Sequence, residues 1–296
     1  MRGLVAQQAL LSGFCLYIMR YCFSGHESFQ CKSLWLKKGF DFLHNGYLFS
    51  QSDSVVKLGV GKNMVASIRF WLRAFGLTKN DVPTEFADYL FDEHIGKDKF
   101  AEDIFTLWLL HFLIVYSEVA SLYKLLFVDF QKEKKEFTKS DIQAFVKRKC
   151  SVPEQKNVYN ENTVKKDIGV LFKQYVNPED IKAIEDFSSL LIPLNLIVKK
   201  NAETFCFSSK SADNIEPKLI LFALSIIRGE DKTISFDKLQ ELALIFCISI
   251  TTLIEIIKNI EQEFTSTIVF TDNSGIKNVQ FISDIKPLDI LNSYYD

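Results

Sequence analysis

Proline and glycine are scarce in this chain, at 6 and 12 of 296 residues. That excludes a turn-dense β-sandwich and a long disordered linker. Cysteine pairs of the CxxC type are also missing. Cys15, Cys22, Cys31, Cys150, Cys206 and Cys247 stand apart, so a zinc ribbon is not indicated. Cys22, His26 and Cys31 lie close together, but their spacing matches no standard metal set. Small buried thiols in a reducing, cytoplasmic compartment are the simpler reading. A strong charge of one sign is absent too. Thirty-five Lys and Arg face 37 Asp and Glu, for a net charge of −2. A dedicated non-specific DNA coat is far more basic, so any nucleic-acid contact must be a local patch. Long hydrophobic runs are lacking as well. Residues 3–18 look slightly like a signal h-region, but Gln7 and Gln8 interrupt them. The run 104–115 is too short to span a membrane, carries His111 and reads as a buried core helix. No membrane partner is expected, and residues 1–18 are expected to be an extension outside the fold.

What is present is apolar surface. The hydrophobic share is 48% and Phe occurs 27 times, enough for two or three well-filled cores. The most informative stretch is 49–77, FSQSDSVVKLGVGKNMVASIRFWLRAFGL. It reads as a short helix, a turn at Leu58-Gly59-Val60-Gly61 and a longer helix. Val65, Ile68, Leu72 and Phe75 recur at helical spacing and predict one buried face. Lys62, Arg69 and Arg73 fall on another stripe, because offsets of seven and eleven return to the same side. This is the pattern of a helix-turn-helix with cations turned toward a phosphate backbone. Lys62 and Asn63 would open the second helix, where amides and side chains can meet phosphates or base edges. An ordinary helical hairpin with a solvated basic face gives the same pattern. A phosphate loop does not: the GVGK turn has Val56 and Asn63 where that motif needs Gly and Ser or Thr. No nucleotide site is evident.

Along the chain, Ser24-Gly25-His26-Glu27 has the S-x-x-E form of a capping box. A basic helix is expected to follow it through Phe29, Leu34, Trp35, Leu36 and Phe40, with Lys32, Lys37 and Lys38. Residues 78–83 read as a loop, 85–91 as a helix, and 101–130 as core helices around Trp108. The charged run 131–137 reads as a linker or an exposed helix end. Helices are expected from Thr138 to Lys149 and, capped by Asn162, from Thr163 to Tyr175. Lys165, Lys166 and Lys173 mark the outer face of the latter. Short strands near 194–199 and 204–207 would form a wing. From 217 the pattern repeats, with helices at 217–228, 235–246 and 250–263 and a hairpin through Asp272-Asn273-Ser274-Gly275. There the recognition position carries Glu255, Lys258 and Glu261, which suits protein contact better than DNA. The expected fold is therefore mainly α, built of helix-turn-helix and winged-helix units with short β-hairpin wings. The expected domains are 19–130, 131–216 and 217–296.

Hydrolysing a phosphodiester needs a carboxylate-held metal or a nucleophile with a base. His26 and Glu27 are the candidate catalytic pair, His26 as general acid or base and Glu27 as a metal ligand. Helical neighbours diverge by about 100°, and the capping box by itself explains Ser24 and Glu27. Asp41, His44 and Asp53 are further polar candidates, better read as solvated helix ends. The metal ligands stay unknown.

The signatures FSGHESF (23–29), WLKKG (35–39) and VKLGVGKNMVASIRFW (56–71) resemble a bacterial domain-of-unknown-function family. That family includes the B component of the Ssp-type DNA phosphorothioation system, a DNA nickase within phage defence. Cys31 and Lys32 stand where the family pattern places an Arg. The resemblance is specific over 23–77 and diffuse elsewhere. It implies a DNA-binding component that nicks one strand so that sulfur can be incorporated, and Mg²⁺ or Mn²⁺ is the cofactor expected for a metal-dependent cut. It also implies partnership with a cysteine desulfurase, an ATPase and an ATP pyrophosphatase. A non-catalytic DNA-binding adaptor that recruits those enzymes, or a transcriptional regulator acting as a homodimer, are the alternatives.

Overall fold

Helix α1 (Trp35–His44) buries Trp35, Leu36, Phe40 and Leu43. Gly39 on that face lets it lie directly on the helix that carries Ile68 and Leu72. A Cβ there would stand 2.6 Å from Ile68 Cγ2 and 2.7 Å from Leu72 Cδ1. The structure is a computed structural model and describes residues 20–178, 189–208, 210, 215–273 and 276–296. The expectation for residues 1–18, part of 179–216 and the hairpin tip at 274–275 lie outside the described residues.

Helix α2 (Ser54–Leu58) ends at Gly59 with φ +62, a left-handed position that glycine adopts freely. Gly61 is extended instead, at φ −65 and ψ 159, and stands at the head of α3 (Lys62–Ala74). Of the two glycines in the turn, Gly59 is the left-handed one. Val65, Ile68, Leu72 and Phe75 are all buried, as the periodicity predicts. Residues 78–83, read as a loop, form an antiparallel hairpin of β1 (Thr78–Lys79) and β2 (Val82–Pro83). Its central Asn80 and Asp81 are both left-handed, at φ 51 and 62. Two-residue strands are too short to show an alternating pattern. Helix α4 (Glu85–Phe91) follows, capped by Thr84, whose hydroxyl accepts from the Ala87 amide.

Helix α5 (Ile104–Ser117) is buried almost all round and turns by 101° into α6 (Ser121–Glu133), which contains a π-helical stretch over Leu125–Phe130. After β3 (Glu136–Phe137) comes α7 (Lys139–Lys149), opened by a capping box between Thr138 and Asp141. Helix α8 (Glu161–Tyr175) is capped by Asn160, two residues before the asparagine expected. Strands β4 (Ile197–Lys199) and β5 (Phe205–Phe207) complete a sheet of order β3-β5-β4, with Phe137 opposite Phe205 and Ile197 opposite Phe207. Aromatic rings knit these parts together. Phe127 packs on Tyr175 and Phe207, and His111 Nδ1 lies 2.7 Å from the Tyr175 hydroxyl. The stretches 20–130 and 131–210 accordingly fall in one compact unit.

The other unit holds the residues from 215 on. Its elements are α9 (Pro217–Arg228), β6 (Thr233–Ser235), α10 (Phe236–Ile245), α11 (Ile250–Glu263), β7 (Ile268–Asn273), β8 (Ile276–Phe281) and α12 (Pro287–Tyr295), with sheet order β6-β8-β7. Helix α12, absent from the sequence reading, buries Ile290 and Leu291. The described chain is thus mainly helical with small antiparallel sheets. No single described helix is long and apolar enough to cross a membrane.

Candidate nucleic-acid interface

One side of α3 lines an open groove of about 760 Å³. Lys62, Val65, Ala66, Arg69, Phe70 and Arg73 contribute to it, at the three- and four-residue spacing of a single helical stripe. The segment Phe49–Ser52 with Ser54 and Val55 lines it from the chain before α3, and Thr78, Asn80 and Asp81 from the hairpin after. Lys62, Asn63, Arg69 and Arg73 are exposed. No side chain caps α3 and its first turn carries no acid. Its leading amides and the helix dipole therefore favour an anion at the Lys62 end.

Arg69 is held at the groove by a two-pronged contact. Its Nε donates to Asp81 Oδ1 at 2.8 Å and its Nη2 to Oδ2 at 2.6 Å. The hydrogen bonds to Asp81 raise the Arg69 pKa above its ordinary value. The Arg73 guanidinium lies 5.8 Å from the Phe70 ring centre. Burial pushes the Cys22 thiol up, against the pull of Arg73.

Beside this groove the expected capping box does not form. Ser24, Gly25, Glu27 and Ser28 all have positive φ, at 70, 97, 47 and 66, and the helix that follows them begins at Trp35. The Ser24 amide donates to Asp167 Oδ2 at 2.8 Å rather than closing a helical turn. A Cβ on Gly25 would lie 2.6 Å from Phe70 Cδ2, so backbone angle and close approach both require glycine there. His26 is 5% exposed. It stacks on Trp71 at 5.8 Å and meets Phe70 edge-on. Its Nδ1 accepts the Ser28 amide at 3.2 Å, which leaves the proton on Nε2. Nε2 lies 3.1 Å from Asp167 Oδ1, off the line of a hydrogen bond. The neighbouring space of about 10 Å³ admits roughly one water molecule. The Cys31 amide donates to Gln174 Oε1 at 2.8 Å and the Trp71 indole to the Phe29 carbonyl at 3.2 Å. Loop 23–31 is thereby fixed to α3 and α8.

The sequence-predicted residues are distributed as follows. Lys62, Arg69 and Arg73 come together in the groove, and Asn63 is exposed beside Lys62. Glu27 is exposed while His26 is buried. Lys32 is half-buried, bridged through its backbone to Ser189. Lys165, Lys166 and Lys173 are exposed on α8, and none of them lines the groove. Among the described residues no group of three or more His, Cys, Asp or Glu is placed to hold a metal ion. The groove's carboxylate, Asp81, is engaged by Arg69. The described residues of the groove do not fit a carboxylate-held Mg²⁺ or Mn²⁺. Asp81 and Asp167 were missed from sequence. Asp81 sits in an unrecognised two-residue turn, and Asp167 meets a loop 143 residues upstream.

A family model described as "Protein of unknown function (DUF4007)" matches residues 23–295. Two solved structures are similar over 93% of this chain and 88% of theirs. A crystal structure of SspB has TM-score 0.79 at 26% identity, and one of magnesium ion-bound SspB has TM-score 0.78 at 25% identity. No curated protein matches the chain.

Proposed function

The chain belongs to the DUF4007 family of proteins of unknown function, and from that premise we propose that it is the DNA-binding component of a bacterial DNA phosphorothioation and phage-defence system. The likeness to SspB supports the system. The observation that carries DNA binding is the line of Lys62, Arg69 and Arg73 along one groove, headed by an uncapped helix N-terminus. A helix rises about 1.5 Å per residue. The three cations therefore spread over roughly 16 Å, a span suited to several phosphates rather than to one small anion. Asn63 is the side chain in this set suited to a base edge. The exposed lysines of α8, Lys165, Lys166 and Lys173, offer a second basic strip for the same backbone. A helix-turn-helix followed by a hairpin has the element order of a winged helix.

Strand nicking is the finer activity that the resemblance implies. Within this reading His26 positions loop 23–31, because its ring is enclosed by Trp71, Phe70 and Asp167. Glu27 is the exposed member of the pair. An adaptor that recruits the desulfurase, ATPase and ATP pyrophosphatase uses the same DNA face without cutting.

Supercoiled plasmid incubated with the protein, with and without Mg²⁺ or Mn²⁺, separates these. Open-circular product that is lost in Glu27→Ala would mark a nickase. Retarded, uncut plasmid would mark an adaptor. In either case the Lys62→Ala/Arg73→Ala pair should weaken binding and flatten the plot of log K against log salt by about one unit per phosphate contact removed. An unchanged slope would place the DNA face elsewhere.

A further inference from the structure

We propose that Asp81 is a built-in phosphate mimic: it occupies Arg69 in the free protein and yields it to a DNA phosphate on binding. This rests on the DNA-binding reading of the groove. Two observations carry it. The carboxylate grips Nε and Nη2 together, the same fork-to-fork geometry a phosphate uses with arginine. It is presented from the left-handed turn of the hairpin, a position that aspartate and glycine both tolerate. The pair is also half in water. The Arg69 side chain is 54% exposed and that of Asp81 29%, and both line the groove. A solvated pair of this kind adds little to folding, so its exchange for a phosphate is nearly balanced.

The consequence is selectivity. Arg69 lies seven residues after Lys62 and four before Arg73 on the stripe. A lone anion entering between them meets the Asp81 charge. A polyanion whose neighbouring phosphates are already held by Lys62 and Arg73 presents the next phosphate to Arg69 at high effective concentration. The latch thus disfavours small anions and short contacts and favours a continuous strand backbone.

The test is a double-mutant cycle read by fluorescence anisotropy, with a labelled 20-base-pair duplex over a salt series. The proteins are wild type, Asp81→Asn, Arg69→Ala, the double variant and Lys62→Ala/Arg73→Ala. Asp81→Gly serves as a second variant, since glycine suits the turn and keeps the hairpin. The expected result is three- to tenfold tighter binding for either Asp81 variant, with a salt slope steeper by about one unit. In the Arg69→Ala background the gain should shrink below twofold. An equal gain in both backgrounds is mere charge removal and overturns the latch. Weaker binding by folded Asp81 variants also overturns it, because the pair would then be building the site. If Lys62→Ala/Arg73→Ala weakens binding while the cycle is flat, the latch alone falls. If that variant binds like wild type, or if no protein binds, the groove reading falls and the latch with it.

Discussion

His26 illustrates how one side chain can carry a suggestive signature and still be occupied structurally. Its ring lies parallel to Trp71, edge-on to Phe70 and against Asp167, while its Nδ1 accepts the Ser28 amide. Removing the ring opens a cavity among aromatic groups and strips the Asp167 carboxylate of a neighbour. His26→Ala should therefore lower stability by about 2–4 kcal/mol, seen as a lower urea midpoint at unchanged m. A variant that melts like wild type yet loses its effect on plasmid DNA would return His26 to the chemistry. Gly25 belongs to the same packing, since Phe70 fills the space a side chain would need.

At the scale of elements, α7 offers a pH test. Thr138 and Asp141 cap one another: the Asp141 amide donates to Thr138 Oγ1, and the Thr138 amide donates to Asp141 Oδ2 at 2.7 Å. Lys134 Nζ stands 2.8 Å from Asp141 Oδ1. The Lys134 contact first, and the Thr138 amide second, hold the Asp141 carboxyl below its usual range. Stability from a depressed carboxyl is present above the unfolded value near ~3.9 and is lost as pH falls through the folded one. The gap in urea midpoint between wild type and Asp141→Asn should thus be widest near neutrality and close in acid below that value. Thr138→Ala should cost about 1 kcal/mol at neutral pH. A gap that widened on acidification would contradict the assignment of the carboxylate as the capping species.

At the scale of the molecule, the groove is contained in the unit spanning residues 20–210. The other unit presents Glu255, Lys258 and Glu261 on α11, a stripe of mixed charge. With the whole chain at net −2, the proposed DNA binding rests on the local cation line rather than on overall attraction. A chain ending at Lys210 should keep the duplex affinity and salt slope of the full chain within about twofold. Loss of binding by a truncated chain with an intact helical spectrum would assign DNA contacts to the second unit.

Much of this was legible in the order of residues. The 3.6-residue period exposed the buried faces of α3 and α8 and put Lys62, Arg69 and Arg73 on one stripe, because those relations act within a few turns of chain. The helices of the second unit and the mainly helical class followed from the same local rule. Helix α12 escaped it, since a short terminal helix led by Pro287 shows little period. Contacts distant in sequence left no such trace. Asp167 takes the Ser24 amide across 143 residues and so turns an apparent capping box into an irregular loop. His111 and Phe127 meet Tyr175 and join stretches that read as separate domains. Asp81 closes on Arg69 only because a two-residue hairpin folds back over α3. Local periodicity determined the helices and the cation line; tertiary packing decided which polar groups are free to act, because burial and long-range pairing are set only when remote segments meet.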